Sequence, residues 1–164
     1  MDFRALLVAL VEAEVDFVVV GGVAAVLHGA PATTFDLDLV HSREPASCGR
    51  LVEALQRLEA CYREQLPKRI SPRAQDLLGP GHHLLMTSEG PLDLLGSVVG
   101  GRGFEELASR STWLDLGTGL RVRLLDLETL IELKTELGRE KDRAQVLLLR
   151  KTLEERRGRG DRGP

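Results

Sequence analysis

Two aspartates, Asp36 and Asp38, are separated by one leucine in the stretch FDLDLV, and a third, Asp93, is flanked by leucines in PLDLL. In an extended chain, residues i and i+2 point to the same face, about 6.6 Å apart at Cα. Two carboxylates so placed repel each other, and burial in an apolar sheet adds a desolvation cost. A divalent cation removes both penalties. Hard oxygen donors with few sulfur or imidazole partners suit Mg²⁺ or Mn²⁺ rather than zinc. Asp93 completes the set if its strand lies beside that of Asp38, at about 5 Å. The plainer alternative is an edge strand whose acidic side chains face water. Against it stands the pair Gly21-Gly22, which follows a strand-like run and precedes a helix-like one. Such a corner offers backbone amides to phosphate. A phosphate cradle beside three carboxylates describes metal-assisted chemistry on a nucleoside triphosphate.

Basic residues come late in the chain. Lys134, Arg139 and Lys141 lie in KTELGREKD. Lys134 and Lys141 are seven apart and share a helical face if Gly138 does not interrupt the helix. Asp142 is the natural group to orient Lys141 toward phosphate. The competing reading is a solvated surface in which Glu136, Glu140 and Asp142 pair with these bases at little net gain. His28 is expected to close a helix or to bond within the fold, because it lacks ligand partners at suitable spacing. His82 and His83 belong to a strand start. Trp113, in STWLDL, is expected in the core rather than as a base-stacking platform.

The elements that must position these groups follow from periodicity. FRALLVALVEAE (3–14) carries apolar residues at helical spacing, and DFVVV (16–20) is a buried strand. VAAVLHG is a short helix stopped by Gly29 and Pro31, and TFDLDLVH is the second strand. Pro45 opens a helix that runs to about Tyr62. The segment 63–81 is the least legible, with one short helix in PRAQDLLG. HHLLMTS and PLDLLG form an antiparallel hairpin around SEGP. FEELASR is a helix, STWLDL and RVRLL a second hairpin, and two helical stretches flank Gly138. Early helix–strand alternation followed by antiparallel pairs predicts a mixed α/β (α+β) sheet with helices packed on it.

With 164 residues, the expected organisation is one domain over 1–155 and a mobile tail over 156–164, RRGRGDRGP being unable to build a core. A hydrophobic share of 43% excludes general disorder. A net charge of -3 gives no whole-molecule attraction to nucleic acid, so such contact would need a local basic patch. Cys48 and Cys61 form no CxxC, and nothing resembles a secretory signal, so two free thiols in the cytoplasm are expected. The apolar run FVVVGGVAAVLHG is too short to span a bilayer, so no membrane partner is expected.

The order Gly-Gly, Asp-x-Asp and a distant strand Asp resembles the polymerase-β-type nucleotidyltransferase superfamily, above all small bacterial proteins related to the AbiEii toxin nucleotidyltransferases. VGGVAAVLHG is similar to their first strand and helix, TTFDLDLV to their metal-binding strand, GPLDLLGSVVGGRGFEEL to the third-carboxylate strand, and LLDLETLIELKTELGREKDRAQVLLL to their closing helices. The resemblance implies a nucleotidyltransferase-like fold. Its activity would be transfer of a nucleotidyl group from an NTP to a hydroxyl of RNA, such as tRNA, or of a protein. It implies Mg²⁺ or Mn²⁺ on Asp36, Asp38 and Asp93, with Asp93 helping to activate the hydroxyl. Gly21, Gly22, Thr34, Lys134, Arg139 and Lys141 would bind nucleotide, and an antitoxin would be a partner. Many relatives carry Gly-Ser where Gly21-Gly22 stand, an arginine where this chain has Ala32, and a basic residue in place of Phe35. A second function therefore stays open: a catalytically inactive domain of the same fold serving as a binding or regulatory module. A dinucleotide-binding reading fails, because G-x-G-x-x-G is absent.

Overall fold

The computed structural model describes residues 2–160. Asp2 caps the first helix, α1 (Phe3–Glu12), its Oδ1 accepting from the Ala5 amide at 2.9 Å. Strand β1 (Phe17–Val20) is buried along its whole length and passes directly into α2 (Gly21–Leu27). Strand β2 (Leu37–His41) leads to α3 (Pro45–Arg57), where proline occupies the first turn. A two-residue strand, β3 (Cys61–Tyr62), follows α3, and a 3-10 turn over Arg63–Lys68 and α4 (Ala74–Leu77) lie in 63–81, the segment least legible in the sequence. Then come β4 (His82–Thr87), β5 (Gly90–Leu95), α5 (Phe104–Ser109), β6 (Ser111–Asp115) and β7 (Arg121–Leu125). The closing pair is α6 (Leu127–Leu137) and α7 (Glu140–Gly160), separated by Gly138 with φ 62°. That left-handed conformation is the reason a glycine ends α6.

Among the described residues, seven strands form one mixed sheet in the order β3-β4-β5-β2-β1-β7-β6. Strands β1 and β2 are antiparallel with Val20 opposite Asp38, while β2 and β5 are parallel with Asp38 opposite Asp93. Residues in register share a face. Asp38 and Asp93 therefore lie on one side with Val20 and Leu84. Leu37, Leu39, Leu92 and Leu94, each at most 1% exposed, fill the other side. The sheet thus holds two acidic side chains against one of its faces and a mainly apolar layer, which also contains the buried His41 and His83, against the opposite one. Both cysteines are buried free thiols. No helix among the described residues is long and apolar enough to cross a membrane.

Four expectations need correction. The helix opened by Pro45 ends at Arg57 and not near Tyr62, because the chain turns there and Cys61–Tyr62 pairs with β4. The strand carrying Asp38 begins at Leu37, so Asp36 stands in the bend before it. Chain geometry explains this: β1 stops at Val20 and turns into α2, leaving no β1 residue opposite Asp36. Trp113 is 52% exposed, because β6 is the outermost strand, and the guanidiniums of Arg121 and Arg123 lie over its ring. The helix α7 continues through Gly160, where a tail from 156 was expected. Arg156 donates to His28 Nδ1 at 2.6 Å and Arg157 to Glu128 at 3.2 Å, which gives those residues partners. Residues 161–164 lie outside the described residues.

Candidate active site

The end of β1 and the start of β2 are neighbours, and the turn between β1 and α2 is built around the second carboxylate. Gly21 has φ +64°, and a Cβ there would lie 2.0 Å from Asp38 Oδ2. A Cβ on Gly22 would lie 2.4 Å from Thr34 Oγ1. Both glycines are therefore required by close approach, the first also by its backbone conformation. Asp38 accepts a hydrogen bond from the Gly22 amide. That amide, expected to be open to phosphate, orients a carboxylate instead.

The segment before β2 is organised by Thr34. Its hydroxyl lies 3.1 Å from the Asp36 carbonyl and 3.2 Å from Asp36 Oδ1. This local side-chain pairing holds Asp36 beside the strand without a sheet ladder. Gly21, Gly22, Thr34, Asp36, Asp38, Asp93, Lys134 and Arg139 all line one cleft of about 600 Å³. Its remaining wall is largely apolar, with Leu130, Leu133 and Leu137 from α6 and Val98 and Val99 from the segment after β5. Phe35 stands at its rim, 74% exposed.

The electrostatics of the cleft are those of crowded carboxylates. Asp38 is pushed up to about 6, first by burial and then by the charges of Asp36 and Asp93; the Gly22 hydrogen bond and Lys134 oppose the shift. Burial likewise pushes Asp93 up, although the Arg63 guanidinium works against it. Arg63, from the 3-10 turn, donates to Asp93 Oδ1 in an ion pair whose side chains are 26% and 12% exposed.

The basic side of the cleft differs from the sequence expectation in one partner. Asp142, 1% exposed, accepts from Arg139 Nε at 2.6 Å and lies 3.8 Å from Lys134 Nζ. Lys134 also donates to Gln145 Oε1 at 2.6 Å. Asp142 thus positions Lys134 and Arg139, the residues on either side of the Gly138 turn. The side chain of Lys141 lies outside the described residues. His28, at the end of α2, is 2.7 Å from the Leu125 carbonyl, a bond within the fold as expected.

Arg63, which pairs with Asp93, is a charged group that sequence reasoning missed. The segment that carries it has neither helical nor strand period, and β3 is two residues long, too short to leave a signal. Gln145 was also missed; it lies eleven residues beyond Lys134 and reaches it only because the chain doubles back at Gly138.

Three hard carboxylates facing one cleft, with Asp38 repelled by the other two, fit a divalent cation in donor chemistry. Among the described residues, however, no group of three or more Asp, Glu, His or Cys side chains is arranged so that it could hold a metal ion. Two of the three aspartates have protein partners: Asp36 Oδ1 accepts from the Thr34 hydroxyl and Asp93 Oδ1 from Arg63.

No family model and no curated protein matches the chain. Among solved structures, it is similar to a Thermotoga maritima protein described as a "putative nucleotidyltransferase", at 18% identity and a TM-score of 0.55 over 93% of this chain and 90% of that one. With its mixed seven-stranded sheet and packed helices, the chain has a nucleotidyltransferase-like fold.

Proposed function

We propose that the chain is a cytoplasmic, toxin-type transferase, related to the AbiEii nucleotidyltransferases and paired with an antitoxin. It would move a nucleotidyl group from an NTP to a hydroxyl of RNA or protein. The observation that supports this most is the meeting of Asp36, Asp38 and Asp93 with the Gly21-Gly22 turn and Lys134 in one cleft. In the reaction, the acceptor oxygen bonds to the α-phosphorus, and the bond from that phosphorus to the bridging oxygen breaks. Pyrophosphate departs with the electron pair. Asp36 and Asp38 would hold Mg²⁺ or Mn²⁺, which supplies positive charge to the triphosphate when bound. Asp93, opposite Asp38 in register, receives the proton of the attacking hydroxyl. Lys134, held by Asp142 and Gln145, meets the phosphates as a point charge, and Arg139 flanks it.

A second reading is an inactive domain of the same fold acting as a binding or regulatory module. Arg63 on Asp93, together with Ala32 where a guanidinium is common, favours it. Calorimetric titration with ATP, CTP, GTP and UTP separates the two. The transferase binds at least one of them only with Mg²⁺ present, whereas absence of binding at millimolar nucleotide supports the inactive domain.

A further inference from the structure

We infer that Trp113, with Arg121 and Arg123, forms a binding site for single-stranded RNA at the outer end of the sheet. The inference rests on the proposed transfer to a hydroxyl of RNA or protein, and it selects RNA. Trp113 is the chain's only tryptophan, and it is 52% exposed on the edge strand β6. Arg123 lies opposite it in register, with Cζ 4.5 Å from the centroid of the ring, and Arg121 Cζ is 5.4 Å from it. Among the described residues neither guanidinium has a carboxylate partner. Asp115, opposite Arg121 in register, accepts from the Gly117 amide at 2.7 Å instead.

Both arginines come from β7, on one side of β6, and the other side of β6 is the open edge. A flat ring with half its surface free, beside two guanidiniums, offers stacking to a base and positive charge to the phosphates that flank it. An acidic peptide would use the charges and leave the indole idle, and a duplex keeps its bases inside the stack. An unpaired strand uses both. The chain as a whole carries -3, so a local patch of this kind is what contact with RNA requires. Register also fixes where the patch lies. Trp113 is opposite Arg123, Arg123 opposite Val18, and Val20 opposite Asp38. Residues i and i+2 share a face, so Trp113 and both arginines lie on the same side of the sheet as Asp38. Strands β6 and β2 are three strand spacings apart, about 14 Å. At about 3.4 Å per nucleotide, about four nucleotides cover that span, which brings the end of a bound strand to the cleft.

The test is titration of the full chain with an oligouridine strand about ten nucleotides long, without NTP or divalent cation. Binding is read by the anisotropy of a fluorescein-labelled strand and, with unlabelled strand, by the emission of Trp113. Stacking should quench that emission, and the same strand annealed to its complement should bind about tenfold more weakly. W113L is expected to lose about tenfold in affinity. W113F, which keeps a ring, should lose less and serves if W113L does not fold. R121Q/R123Q should flatten the dependence of log affinity on log salt by about 1.4, for two phosphate contacts at about 0.7 each. K151A, exposed on α7, should match wild type in both readouts. D36N/D38N should also bind RNA like wild type, so RNA binding and nucleotidyl transfer fail separately. Unquenched emission at millimolar strand, or unchanged affinity in folded W113L and R121Q/R123Q, overturns the proposal. So does tighter binding of a glutamate peptide of about ten residues. Each of these leaves transfer to protein standing. Quenched, salt-dependent RNA binding by a chain that transfers nothing supports the RNA site and removes the transfer.

Discussion

At the residue scale, Asp38 decides the electrostatic character of the cleft. Its carboxyl titrates near 6 in the folded chain against an ordinary value of 3.8. A carboxyl raised on folding holds its proton in the native state while the unfolded chain has already lost it. Stability from this group is therefore full below about pH 4 and falls as pH rises toward about 6. D38N keeps the shape and an acceptor for the Gly22 amide but carries no charge. Without divalent cation it should melt roughly 5 °C above wild type at pH 7, and the two curves should meet near pH 4. Parallel melting temperatures across that range would contradict the assignment. The aspartates themselves were readable in the sequence, since their spacing and leucine flanks state the strand period. The bend at Asp36 was not, because it depends on where β1 ends, and a strand's end is set by its partner rather than by its own residues.

At the element scale, the α6–Gly138–α7 corner carries the basic side of the site. The two helices and the glycine between them were legible from periodicity and from the left-handed turn that only glycine enters cheaply. Which lysine Asp142 serves was not legible. Sequence distance favours Lys141, its neighbour, but the reversal at Gly138 brings Lys134 back onto the first turn of α7. D142N leaves two cations without their buried counter-charge and should cost about 2 kcal/mol in a denaturant titration. It should also weaken nucleotide binding as K134A does, because Lys134 loses the group that aims it. K151A, exposed on the same terminal helix, should bind nucleotide like wild type. Unchanged nucleotide affinity in folded D142N and K134A would assign this corner to the fold alone.

At the scale of the whole molecule, the sheet order puts the site where β1, β2 and β5 adjoin, at the middle of the sheet. The mixed architecture followed from alternation early in the chain and hairpins later. Edges were harder to see. Trp113 has the composition of a core strand, yet β6 is an edge, so its ring is covered by two arginines instead of by a second strand. Arg156 and Arg157 looked like a solvated tail, but their partners lie more than 28 residues away in sequence, on α6 and at the end of α2. Long-range charge pairing leaves no local period. The central claim is that these elements assemble a transferase around Asp36 and Asp38. Its most direct measurement is incubation of the purified chain with each α-³²P-labelled NTP, Mg²⁺ and a cell lysate, beside a D36N/D38N control. The account predicts label moving into an RNA or protein band with wild type alone. No transfer by wild type with any of the four nucleotides, or equal transfer by the control, would contradict it.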